Sequence, residues 1–224
     1  MSDTPPSPPL RATIVPVTPF QQNCTLFWCT ETGRGAFVDP GGDLDQLRAA
    51  AEQHKVTIEK ILVTHGHADH CGMAGVLAGE LGISIEGPHP DDAWLLADLA
   101  NSAGRFGLEA QAWEPDRWLA DGDQVTVGNL VLDVVHCPGH TPGHIVFHHA
   151  PSHLALVGDV LFQGSIGRTD FPRGNHADLI ASITRKLWPL GDDTHFVPGH
   201  GPMSSFGQER RTNPYVADSV VGRA

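Results

Sequence analysis

The 224 residues carry 14 Lys and Arg against 26 Asp and Glu, a formal net charge of −12 that disfavours broad nucleic-acid binding, which leaves a basic footprint. With 40% hydrophobic residues, 25 Gly and 18 Pro, the chain reads as a loop-rich globular protein, neither fibrous nor disordered. No apolar run approaches the roughly 20 residues that a bilayer span needs, so no membrane partner is expected. The four cysteines, Cys24, Cys29, Cys71 and Cys137, include no CxxC pair. They predict reduced thiols in a cytoplasmic protein rather than a disulfide framework or a zinc knuckle.

Residues 1–10 read as a flexible Pro-rich lead-in, lacking the basic start and apolar segment of a signal peptide. Residues 11–224 read as a single domain. Residues 11–17, residues 24–29 and Ala36-Phe37-Val38 are strand candidates, antiparallel neighbours joined by turns such as Thr32-Gly33-Arg34-Gly35. Asp39-Pro40-Gly41-Gly42-Asp43 ends the third strand, with Asp43 as N-cap of a helix over about 44–54. Asp39 has two readings of equal weight, a turn-former or a support for the donors that follow.

A strand over 58–63 leads into Thr64-His65-Gly66-His67-Ala68-Asp69-His70. Four imidazole or carboxylate donors in one strand-to-helix loop suit zinc, iron or manganese. A helix is expected over about 69–81, rich in small residues that permit close packing on a sheet. Ile83-Ser84-Ile85 is a short strand, and Pro88-His89-Pro90-Asp91 opens a helical stretch to about Leu99 in which Trp94, Leu95 and Leu99 read as core. Residues 101–117 read as an irregular loop bordering a pocket. Asp121-Gly122-Asp123 is a turn before a strand over Gln124–Val127, joined through Gly128-Asn129 to Leu130–His136 as a hairpin.

Three further strand ends carry donors. His136-Cys137-Pro138-Gly139-His140-Thr141-Pro142-Gly143-His144 follows one strand, Gly158-Asp159 follows Leu154–Val157, and Pro198-Gly199-His200-Gly201 follows Phe196-Val197. Donors at several strand ends can converge on one point, and the glycines beside them allow close backbone approach.

The ordered set His65-x-His67-x-Asp69-His70, His140, Asp159 and His200 resembles the metal-site pattern of the metallo-β-lactamase-fold superfamily. Gly167-Arg168-Thr169-Asp170-Phe171-Pro172-Arg173-Gly174, Pro198-Gly199-His200-Gly201-Pro202 and Glu209-Arg210 with Asn213-Pro214 are similar to the small, single-domain type II glyoxalases. Larger members carry a C-terminal helical domain that binds glutathione; here the sequence continues from His200 only to Ala224, so that domain is not expected. The resemblance implies a mixed α/β fold, a four-layer αββα sandwich. It implies two divalent ions, zinc or alternatively iron or manganese. His65, His67 and His140 would hold one ion, Asp69, His70 and His200 the other, and Asp159 would bridge them.

The reaction so implied is hydrolysis of a glutathione thioester such as S-lactoylglutathione by a metal-bridging hydroxide, with Asp69 also orienting that hydroxide. Cys71 and Cys137 flank donors and read as packing residues rather than nucleophiles, and His144 as a support rather than a ligand. Arg168, Arg173, Arg105 and Lys186 are candidates for the substrate's carboxylates, with Arg168 foremost, against the bland reading of surface ion pairs. Two other functions fit parts of the pattern. A persulfide dioxygenase of the same fold uses one iron on two His and one Asp, and a non-catalytic protein would hold its metal in a closed site.

Overall fold

Strand β2 (Gln22–Cys29) shows how the layers arise, because almost every one of its residues is buried. Cys24, Leu26 and Trp28 point into one apolar cluster, whereas Phe27 and Cys29 point into another. The period-two alternation of a strand therefore divides an unbroken apolar run between two cores. The molecule is a computed structural model that describes residues 9–222. Most of the expected lead-in lies outside them.

The first sheet contains β1 (Leu10–Val17), β2, β3 (Arg34–Val38), β4 (Thr57–Leu62) and β5 (Ser84–Glu86), in that order. β1, β2 and β3 are antiparallel neighbours as expected, and β3, β4 and β5 run parallel. Helices α1 (Leu44–His54), α2 (Ala68–Cys71), α3 (Ala74–Leu81), α4 (Ala93–Ala97) and α5 (Leu99–Arg105) cover its outer face, burying Leu47, Leu77, Leu96 and Leu99.

The second sheet contains β6 (Gln124–Val127), β7 (Leu130–His136), β8 (Ile145–His149), β9 (Leu154–Gly158), β12 (His195–Pro198) and β13 (Ser204–Ser205), and a two-residue hairpin, β10 (Leu161–Phe162) and β11 (Ser165–Ile166), lies beyond β9. α6 (His176–Ser182), the wider helical turn Ile183–Leu187 and α7 (Phe206–Thr212) pack on its outer face through Leu179, Ile183, Leu187 and Phe206. A short α8 (Asp218–Val221) follows. Between the sheets lies the third core, where Phe27, Ala36, Val38 and Leu62 meet Val134, Ile145, Phe147 and Leu156. Three apolar cores between four layers make the αββα sandwich.

Several local expectations change. The helix over 69–81 is two helices, because the Met73 amide donates to Pro40 O rather than continuing the ladder. Residues 101–117 are not wholly irregular: α5 extends to Arg105, since Leu99 and Ala103, one helical turn apart, are both fully buried. Asp43 stands before α1, but with φ of +50° its carboxylate accepts from the Thr18 amide at 2.6 Å and ties down the β1–β2 turn rather than capping the helix. β8, α6 and α7 had no counterpart in the sequence reading.

Phe147, fully buried between the sheets, is the strongest test of this layering. Phe147→Ala is expected to lower unfolding free energy by about 3–5 kcal/mol in urea denaturation.

Candidate metal centre

Strand direction brings the donors together. β3 and β4 end side by side, at Asp39 and at the Thr64–His70 loop. β7, β9 and β12 also share one direction, and their ends lead to His140, Asp159 and His200. The sheets meet at this edge, where the Asn23 amide donates to Gly199 O at 2.7 Å and Gln22 bridges to His200.

Hydrogen bonds on the outer side of each ring set what faces inward. The Thr64 hydroxyl donates to Asp39 Oδ2 at 2.6 Å, so at 3.0 Å it accepts from His65 Nδ1 and leaves His65 Nε2 a lone pair. His140 Nδ1 donates to Arg168 O at 2.8 Å, so His140 Nε2 is also a lone pair. Both point at His67 Nδ1, from 3.1 and 3.0 Å. One proton can be shared at most, so three ring nitrogens crowd a space that a cation would satisfy.

The second set is built alike. His70 Nδ1 donates to Asp39 Oδ2 at 2.9 Å, and His200 Nδ1 to Phe20 O at 3.2 Å. His200 Nε2 lies 3.2 Å from Asp69 Oδ2, and His70 Nε2 3.9 Å from it. Asp159 stands between the sets, Oδ1 3.3 Å from His70 Nε2 and Oδ2 3.6 Å from His140 Nε2. Among the described residues, His70 Nε2 and Asp159 Oδ1 are buried without a hydrogen-bond partner. Orphaned donors and acceptors facing one another across two triads are suited to a dinuclear metal site.

Titration follows burial and charge. Burial, reinforced by neighbouring imidazoles, holds His65 and His144 well below the usual histidine value and His67 at about 3. Burial also lowers His140, against the pull of Asp159. For His70 burial opposes the charge, yet Asp159 and Asp69 outweigh it and raise the imidazole well above its usual value. His200 is raised too, because its hydrogen bond with Asp69 and the charge of Asp159 exceed the effect of burial. The same charges hold Asp69 and Asp159 down despite burial.

The structure thus gathers all seven donors expected from the sequence. Asp39 supports the donors rather than merely turning the chain. His144 accepts from the Asp159 amide at 3.0 Å and stacks on His65, orienting both. Cys71 and Cys137 are buried, and burial raises the first thiol well above its usual value and pushes the second up to about 12; neither is a ready nucleophile. Arg168 presents its carbonyl to His140, while its guanidinium forks onto Asp170 with two 2.7 Å hydrogen bonds. A separate group, His89, Asp91 and His136, is less apt. Its two rings stack 4.1 Å apart at 11°, so their in-plane lone pairs do not converge.

Sequence reasoning missed Asp92. Fully buried, it accepts from the Gly66 amide at 3.0 Å, the Thr141 hydroxyl at 2.8 Å and the Gly143 amide at 2.7 Å. It therefore clamps the His65–His67 loop to the His140 loop. Burial pushes its carboxyl up to about 6 against these hydrogen bonds. The only signal in the chain is an acidic pair, Asp91-Asp92, which resembles an ordinary exposed helix start.

The metallo-beta-lactamase superfamily pattern matches residues 17–200, and the chain belongs to that superfamily. It is 45% identical over 205 residues to hydroxyacylglutathione hydrolase GloC of Haemophilus influenzae, covering 91% of this chain and 96% of that one. Among solved structures, it is similar to the BLEG-1 B3 metallo-beta-lactamase at 32% identity and a TM-score of 0.85, covering 92% of this chain and 99% of that one. It is also similar to TTHA1623 in a di-iron-bound form, at 34% identity and a TM-score of 0.83, over 91% of this chain and 100% of that one.

Two measurements test the centre. Histidines kept neutral in the fold lose stability for it as pH falls below about 6.5, and so do the depressed carboxylates at lower pH; the raised His70 and His200 lose theirs as pH climbs above about 6.5. The metal-stripped protein should therefore melt highest near pH ~6.5 and lower on either side. Asp92→Ala strands three buried donors at about 1–3 kcal/mol each. Chemical denaturation should show at least about 3 kcal/mol lost, and chelator titration weaker metal retention.

Proposed function

We propose that the protein is a metal-dependent thioester hydrolase, cleaving glutathione thioesters such as S-lactoylglutathione to glutathione and a hydroxy acid. The observation that carries this reading is the complete second triad, Asp69, His70 and His200, with Asp159 between it and the first. A site for one ion would leave those donors without a role. The relative named as a hydroxyacylglutathione hydrolase supports the substrate class, since it matches nearly end to end.

In this reading His65, His67 and His140 would hold one ion and Asp69, His70 and His200 the other, with Asp159 facing both triads. Two divalent ions held by such donors, zinc in the simplest case and iron or manganese otherwise, would supply hydroxide near neutral pH and polarise a carbonyl. Asp69 Oδ2, already facing His200, is placed to orient the attacking water by accepting its proton in a hydrogen bond. Phe171 packs edge-on against His67, ring centroids 5.0 Å apart, and so braces one side of the first triad. The leaving group needs no acid: a thiol pKa near ~8.5 lets it depart as thiolate. With both nearby cysteines buried, no covalent acyl-enzyme is required.

The test pairs metal content with hydrolysis of S-lactoylglutathione. Wild type should hold about two metals per chain, and His200→Ala about one, with kcat/KM down about 100-fold or more. One iron per chain, no hydrolysis and oxygen uptake on glutathione persulfide would instead assign the protein to the dioxygenase branch of the fold.

A further inference from the structure

We infer that Arg173 is the guanidinium that receives a carboxylate of the substrate, an assignment that rests on the glutathione-thioester reading and names its specificity residue. Arg168, the obvious candidate by sequence, is already neutralised by its fork onto Asp170, and its guanidinium is spread over Phe171 at 4.2 Å. Its work is to brace the loop whose carbonyl orients His140. Arg173 differs in three respects.

Its guanidinium makes no hydrogen bond or ion pair among the described residues, although the chain carries a net charge of −12. It lies over the Trp94 ring, 4.6 Å from the centroid. Stacking holds a guanidinium by its face and leaves the planar fork of N–H donors free for a carboxylate. Its backbone is also unusual. Gly174 N donates to Phe171 O at 2.9 Å, Pro172 takes the second position of that turn, and Arg173 takes the third with φ of +64°. This is a type II turn, whose third position ordinarily falls to glycine. An arginine held there keeps a conformation its Cβ disfavours, and such outliers gather where a side chain is needed for a task.

The turn is also in the right place. Phe171, at its start, packs against His67 and His140, with centroids 5.0 and 5.9 Å away. Trp94 sits between Asp92, which holds the Gly66 amide, and Leu95, which packs on Gly66. Both walls that position Arg173 thus rest on the loops of the first triad. A glutathione thioester has its two carboxylates several bonds from the reacting carbonyl, which suits a cation at the rim.

The test uses metal-loaded protein and two readouts, calorimetric titration with glutathione and steady-state hydrolysis of S-lactoylglutathione and of a carboxylate-free N-acetylcysteamine thioester. For Arg173→Gly, glutathione Kd and thioester KM should rise about tenfold, the loss expected for a charge-assisted hydrogen bond. Hydrolysis kcat should stay within about twofold, the N-acetylcysteamine thioester should be unaffected, and Tm should be no lower because glycine accepts the positive φ. Arg173→Lys should recover part of the affinity. Unchanged glutathione binding in Arg173→Gly overturns the assignment, as does a wild type that binds no glutathione. Arg173-dependent glutathione binding without any thioester hydrolysis would overturn the hydrolase reading and leave the carboxylate site standing.

Discussion

The Asp39 carboxylate is the point on which the candidate metal centre turns. It is buried and accepts three hydrogen bonds, from the Thr64 amide at 2.7 Å, the Thr64 hydroxyl at 2.6 Å and His70 Nδ1 at 2.9 Å. Through Thr64 it sets the tautomer of His65, and directly it sets that of His70, so one side chain orients a donor in each triad. Its own backbone holds φ of +57°, a conformation that aspartate tolerates better than most side chains. The parallel pairing of β3 with β4 places Asp39 beside Thr64; without that register the carboxylate would face solvent and the rings would be free to turn.

Proximity is the second constraint. Asp159 and His200 come together because β9 and β12 run parallel and the Gly199 amide donates to Gly158 O at 2.7 Å. A side chain at 199 would drive into Asp159 Oδ1 and the His70 ring, so the glycine there is a matter of space. Asp92 applies the same logic across the first triad, trading the cost of a buried carboxylate for a fixed distance between two loops. Burial then keeps the His65, His67 and His140 imidazoles neutral beside carboxylates that stay ionised, an arrangement prepared for cations.

The candidate metal donors were legible in the sequence because they cluster in short glycine-containing stretches that follow apolar strands, a local pattern that needs no knowledge of partners. The hairpin at Gly128-Asn129 and the antiparallel β1–β2–β3 unit were legible for similar local reasons. β8 was not. Ile145-Val146-Phe147 is a run of only three apolar residues ending in two histidines, and its alternation between two cores exists only once a layer packs on each face. The break between α2 and α3 was hidden because Pro40, which takes the Met73 amide, is distant in sequence.

Alone, the sequence determined which residue types could bind metal, in what order along the chain, and that the strands carrying them are buried. Those are properties of short stretches and of composition. Tertiary structure decided which nitrogen of each ring faces inward, that Asp159 reaches both triads, that Asp92 clasps two loops, and that Arg173 rather than Arg168 keeps its guanidinium unpaired among the described residues. Each of these depends on a partner many residues away, brought into hydrogen-bonding range only when the two sheets close against one another.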